Sequence, residues 1–312
     1  MTTQPNSEAS GITVTPLKAG AMIDFADARA VADIDTKTVI DAYNAHGAVL
    51  IRGLDVDRAD FVAFTEQYSK NFMEYVGGAN NERDSAYNGS NTVLTVTGGA
   101  VAKLAIPLHG EMFYTQPRPQ ALFFCCIHPA DENGETTICD GVSLWAALPE
   151  AARTLFTERN LRYRRIYTDE SWKSVYKVDN LEAVKAICAK MNVELSVNSD
   201  GSIETVHICH AYNDHPSGRA FINSVLVWAA REYIAGIEDS KVRFEDGSEL
   251  PKSMLMDINA IAETLTVNIS WEPGMLAVVD NMRVMHGRRA YEDTGRDIIM
   301  RLSAESLSNR GA

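Results

Sequence analysis

Two side chains able to bind a metal, His109 and Glu111, stand two residues apart in Leu108-His109-Gly110-Glu111-Met112. On extended backbone, residues i and i+2 project from one face, so an imidazole and a carboxylate at this spacing can take adjacent positions on one ion. A second imidazole from a distant strand would complete two His and one carboxylate on one face of an octahedron, and His286 in His286-Gly287-Arg288 is the candidate. The opposite face of such an ion stays open to small ligands, which is the donor logic of non-haem iron(II) sites. Alone, a His-x-Glu triplet is a weak signal, because a single His more often sits on a surface or in a hydrogen-bonded core position.

The elements around these residues are mostly strands. Residues 48–52, Ala-Val-Leu-Ile-Arg between Gly47 and Gly53, read as a short buried strand. A helix is expected over 57–72, where Phe61, Phe64, Tyr68 and Phe72 recur at helical spacing and Asp57 or Asp60 stands near the start. Residues 77–90 are rich in Gly, Asn and Ser and read as a loop, followed by alternation over 92–97. Strands are expected over 121–127 and 135–139, separated by the turn-forming Asp131-Glu132-Asn133-Gly134, and again over 275–279 and 298–302. Helical patterns occupy 143–159, with Pro149 as a kink or restart, and 181–191, 225–234 and 253–265. Strands at the motifs with helices between them predict a mainly β fold with flanking helices, a β-sandwich or jelly roll. The expected organisation is a disordered lead over 1–12 and one domain over 13–312, with a helical insertion at about 143–268.

Composition narrows the partners. Hydrophobic residues make up 46% and charged residues 23% of the 312, enough for a large core. A net charge of -13 argues against a nucleic-acid partner, which would need a concentrated basic face. Local Arg clusters stand out against that background as receptors for a small anion. The five Cys have no CxxC spacing and read as reduced thiols. The polar opening lacks the basic and apolar regions of a secretory signal, and no apolar run approaches membrane-spanning length. A cytoplasmic enzyme acting on a small molecule is the expected placement, with a homo-oligomer compatible.

Several motifs follow one another in order: Gly-Ala-Val-Leu-Ile-Arg-Gly at 47–53, the His109-Gly110-Glu111 triplet, Pro117-Arg118-Pro119, the strand over 121–126, Gly134-Glu135-Thr136-Thr137, Trp271-Glu272-Pro273-Gly274, Asp280-Asn281, His286-Gly287-Arg288 and Arg296 to Arg301. With these, the chain resembles the taurine dioxygenase and clavaminate synthase superfamily of iron(II)/2-oxoglutarate oxygenases, from about residue 47 to 302. The resemblance implies a double-stranded β-helix, iron(II) held by His109, Glu111 and His286, and 2-oxoglutarate and O2 as co-substrates. It implies oxidation of an unactivated C–H bond, most commonly hydroxylation, with formation of succinate and CO2. Glu in place of the more frequent Asp looks more like the clavaminate synthase branch and leans toward an amino-acid-like or anionic substrate. A carboxylate at this position speaks for oxygenation over halogenation.

The resemblance also places Thr136, 27 residues past His109, against a 2-oxoglutarate carboxylate. It makes Arg301, 15 residues past His286, the first choice for the distal carboxylate, which prefers a guanidinium. Relatives often carry a second Arg four positions earlier, where this chain has Asp297, so Arg296 ranks second by a small register shift. Arg288 and Arg289 read as a solvated pair. His207, Cys209, His210 and His215 match no defensible zinc spacing. Cys125 and Cys126 read as buried apolar residues. Tyr114, Asn88 and Trp172 are candidate pocket residues. A non-catalytic metal-binding jelly roll is the alternative in a different class.

Overall fold

The computed structural model describes residues 12–76, 85–96, 104–292 and 295–307. Two sheets carry the motifs. The larger has seven strands in the order Ile12–Pro16, Ala21–Arg29, Ala48–Leu54, Leu276–Asp280, Ala121–His128, Asp297–Ser303 and Leu94–Thr95. All its neighbours are antiparallel except Ala21–Arg29 and Ala48–Leu54. The smaller has four antiparallel strands in the order Val267–Ile269, Thr136–Asp140, Val284–Arg288 and Ile106–His109.

Alternation along the central strands explains how the sheets meet. In Ala121–His128, Leu122, Phe124 and Cys126 join a core with Ile138, Val284 and Ile269 of the smaller sheet. Their neighbours Ala121, Phe123 and Cys125 turn the other way, toward Val39, Tyr43, Phe61 and Phe64 of helices Thr36–His46 and Arg58–Glu66. A strand buried on both faces reads as a continuous apolar run, which is what Ala-Leu-Phe-Phe-Cys-Cys is. The outer face of the smaller sheet, with Leu108, Cys139 and Met285, is covered by helices of the segment between its strands, through residues such as Leu144, Val225 and Ile258.

That segment is more than helical. Helices Gly141–Ala147, Glu150–Glu158, Asp169–Tyr176, Leu181–Lys190, Val225–Tyr233 and Lys252–Leu265 alternate with a sheet ordered Ser240–Phe244, Leu161–Tyr167, Ile203–Cys209 and Glu194–Val197, and with the hairpin Tyr212–His215/Gly218–Phe221. The strand Leu161–Tyr167 hides its signal because Arg residues occupy most positions between its buried Leu161, Tyr163 and Tyr167. Pro149 restarts the chain between two helices, as its missing N–H favours.

The helix expected over 57–72 ends at Glu66. Asp57 and Asp60 form the capping box at its start. Phe72 instead lies in a β-bridge with Ser303, yet its ring still reaches Phe123, 6.3 Å away between centroids. The aromatic period therefore reports a shared destination, not a continuous helix. Of the alternation over 92–97, only Leu94–Thr95 is strand, and Thr97 lies outside the described residues. Residues 1–11 of the expected lead and 77–84 of the expected loop also lie outside them, while Ile12 already opens the first strand. No helix among the described residues is long and apolar enough to cross a membrane.

Phe124 is buried between the sheets with its ring 5.7 Å from that of His286. Phe124→Ala is expected to cost about 3–5 kcal/mol, measured as a lowered urea midpoint at unchanged slope.

Candidate metal centre

His109 ends the strand Ile106–His109 and lies directly opposite His286 in the antiparallel register, with ring centroids 4.3 Å apart. Both rings face the interior between the sheets. Glu111 reaches the same place by another route than extended backbone. The strand ends at His109, and Glu111 lies in a turn whose next residue, Met112, has a φ of 59°. One donor atom from each of His109, Glu111 and His286 lies within 4.8 Å of the others, and His286 Nε2 is 3.7 Å from Glu111 Oε2. Glu111 is 2% exposed and His286 6%.

The donor set fits a divalent ion. His109 Nδ1 donates to the Pro107 carbonyl at 2.9 Å, which fixes the neutral tautomer and presents Nε2 as the basic nitrogen. His286 Nδ1 is buried without a hydrogen-bond partner among the described residues. A buried carboxylate between two imidazoles is costly unless a cation sits with it. Among the described residues, this is the one group of three or more His, Cys, Asp or Glu placed to share an ion.

Thr136 opens the strand beside His286, lies opposite Arg288 and is buried. Opposed residues share a face, so Thr136, Arg288, His286 and His109 line one interior surface. Thr136 Oγ1 accepts from Trp271 Nε1 at 3.0 Å. Arg288 is buried, donates to the Leu104 carbonyl at 2.7 Å and stands over the Tyr291 ring at 4.8 Å. Arg296 stands over the same ring at 5.3 Å, and its Nε donates to the Gly134 carbonyl at 3.0 Å. Its charge is also felt by Cys126, which belongs to the inter-sheet core.

Arg301 is not brought to this place. Ile298, Met300 and Leu302 point into the core between the sheets, and Arg301 stands on the opposite face of the same strand. There it donates to Thr65 Oγ1 at 2.7 Å and Thr92 Oγ1 at 3.3 Å, and covers the Phe72 ring at 3.5 Å. Arg296, not Arg301, therefore lies near the donor group. Arg288, expected to be solvated, is buried on the same face as His286, as its place two positions further along the strand requires. Arg289, half-buried, is the more accessible member of the pair and is bound to Glu263 at 2.8 Å.

The remaining candidates lie outside this donor group. His207 Nδ1 donates to the Asn192 carbonyl at 2.8 Å, Arg118 lies 3.4 Å from its Nε2, and burial lowers its pKa. Cys209 points at the Phe113 carbonyl, His210 stacks on Tyr212, and His215 pairs with Asp280 at 3.1 Å. The four form no common site. Burial pushes the Cys126 and Cys139 thiols up to about 12 and Cys125 higher, which suits inert thiols. Trp172 is buried with its Nε1 toward the Gly201 carbonyl, and Asn88 is exposed. Tyr114 lines a small cavity with Tyr163, Arg165, Tyr167 and Trp228.

The profile of the taurine catabolism dioxygenase TauD, TfdA family matches residues 13–303. The chain belongs to this family. Its motifs and donor set accordingly mark an iron(II)- and 2-oxoglutarate-dependent dioxygenase. A clavaminate synthase-like protein of Arabidopsis thaliana is 27% identical over 273 residues, 80% of this chain and 79% of the relative. The crystal structure of the PvcB protein from Pseudomonas aeruginosa superposes with a TM-score of 0.61 at 15% identity, covering 96% of this chain and 94% of that one. A PvcB structure described as an Fe, alpha-ketoglutarate dependent oxygenase from an isonitrile synthetic pathway gives 0.58 at 13% identity, covering 97% and 94%. These superpositions agree on the fold.

Gly110 separates His109 from Glu111 beneath a packed ring. A Cβ there would stand 2.4 Å from Phe113 Cδ2 and 2.9 Å from Ile222 Cγ1. Gly110→Ala is expected to destabilise by about 1–3 kcal/mol through overpacking, read as a lower thermal midpoint in circular dichroism.

Proposed function

We propose that His109, Glu111 and His286 hold iron(II), and that the surface formed by Thr136, Arg296 and Arg288 receives the distal carboxylate of 2-oxoglutarate. The observation that carries this reading is the pairing of His109 with His286 beside the buried Glu111, in the interior between two sheets. We read those stacked sheets as a double-stranded β-helix. Iron with 2-oxoglutarate and O2 supplies oxidation of an unactivated C–H bond, yielding succinate and CO2.

The chain's own residues supply position and exclusion. Arg288 lies two positions past His286 on the same face of its strand, about 7 Å along it, a span that would suit a short dicarboxylate held by the ion and the guanidinium. Because an indole N–H only donates, Trp271 takes a lone pair of Thr136 Oγ1 and leaves the hydroxyl hydrogen to point at a carboxylate. Arg288 and Arg296, both over Tyr291, add charge-assisted bonds there. Met112, Phe124 and Ile138 make the surroundings apolar and keep water from the reacting atoms.

The product is most simply an alcohol, and the substrate a small amino-acid-like or anionic metabolite, a reading supported by Glu in place of the family's more frequent Asp. Five thiols, none in a disulfide, suit a cytoplasmic enzyme.

Protein prepared anaerobically with iron(II) is expected to consume O2 and form succinate from 2-oxoglutarate when the right compound from an amino-acid panel is added. Glu111→Ala and His286→Ala should each abolish both metal binding and turnover. Bound iron with no substrate-stimulated succinate across the panel would count against the reading.

The two Arg give a separate test. Arg296→Gln is expected to weaken 2-oxoglutarate binding about tenfold or more, the loss of a hydrogen bond to a charged group. Arg301→Gln should leave that affinity within twofold while lowering the thermal midpoint. Titration calorimetry with 2-oxoglutarate on the metal-loaded protein separates the two.

A further inference from the structure

Asn281 sits in the turn joining Leu276–Asp280 to Val284–Arg288, the strand of His286, and is fully buried. Its Oδ1 accepts from the backbone N–H of Glu111 at 2.8 Å. Its Nδ2 donates to the Glu111 carbonyl at 3.1 Å and to the Pro119 carbonyl at 2.8 Å. Its own amide N–H donates to the Gln120 carbonyl at 3.0 Å. One side chain therefore holds both backbone polar groups of Glu111 and ties the start of the 111–119 loop to its end.

Such a grip is needed because Glu111 lies outside the strand ladder, next to a residue in the left-handed region. Nothing periodic sets where its carboxylate stands. On the other side, Gly110 N–H donates to the Asn223 carbonyl at 2.8 Å and the Gly110 carbonyl accepts from Ser224 Oγ at 3.1 Å. We propose that Asn281 is a positioning residue that sets the Glu111 carboxylate against the two imidazoles, without touching the ion. This rests on the metal-site reading above. It also couples two ligands, because the turn that grips Glu111 is the one that launches the strand of His286.

The chemistry requires an amide. Only an acceptor oxygen and a two-hydrogen donor on one short planar group satisfy the Glu111 N–H and two carbonyls together. Asp would keep the acceptor and set a charge against both carbonyl oxygens. Ala would remove the hydrogen bonds that three buried backbone groups make to Asn281.

The test is anaerobic titration of the metal-free full chain with cobalt(II), followed by its visible absorption, beside thermal melts. Phe61→Leu, in the core under the helix Arg58–Glu66 on the outer face of the larger sheet, controls for lost stability. Asn281→Ala and Asn281→Asp are expected to bind cobalt about tenfold to a hundredfold more weakly and with an altered spectrum, at temperatures where each is folded. Phe61→Leu should match wild type in both. Wild-type affinity and spectrum in either folded Asn281 variant would overturn the proposal, as would an equal loss in Phe61→Leu. If Asn281→Ala does not fold, the near-isosteric Asp variant decides, and failure of both to fold would make Asn281 a folding residue and overturn its positioning role. Failure of wild type to bind cobalt would instead sink the metal-site reading.

Discussion

The structure depends on one backbone register, the antiparallel pairing that sets His286 opposite His109. Side chains alternate with a period of two, so a slip of one residue would turn His286 to the helix-covered outer face and bring Met285 inside. That register is protected from both sides. Met285 belongs to the core under the helices of the inserted segment, Val284 to the core between the sheets, and neither can exchange places without losing its burial. The ladder closes at Gly287, where a Cβ would meet the Ile106 carbonyl at 2.5 Å. A residue without a side chain is required there for the two ligand strands to approach.

The same period of two explains what could be read from the sequence. The His-Gly-Glu triplet, His286 and Thr136 stand out in the sequence because their order is shared with a known family, and the structure brings them to one interior surface. The strands over 48–52, 121–127 and 275–279 were legible as apolar runs. Arg296 and Arg301 were ranked by counting residues from His286, and counting does not reveal which face a residue takes when a strand begins with an irregular register. Such an irregularity lies between Asp297 and Ile298. Glu111 comes beside the two imidazoles through a turn and not through the extended spacing that its place in the triplet suggests, since either can deliver a carboxylate to the same side.

The extra sheet of the inserted segment escaped notice for a different reason. Its central strand Leu161–Tyr167 alternates buried Leu161 and Tyr163 with Arg162 and Arg164, which pair outward with Glu204. Such composition looks solvated until the partner strand is known. This segment also reaches the ligands: Asn223 and Ser224 hold Gly110, while Phe221 and Ile222 pack in the core that contains Phe113. It is part of the support of the centre, not an appendage to it.

One consequence follows from where the three donors come from. Two of them precede the inserted segment and the third follows it, so an ion held between them closes most of the chain into a loop. The folded state gains that association and the unfolded chain does not, which makes occupancy a contribution to conformational stability as well as to chemistry. By that linkage an ion bound at this seat would stabilise the strand pair that forms it.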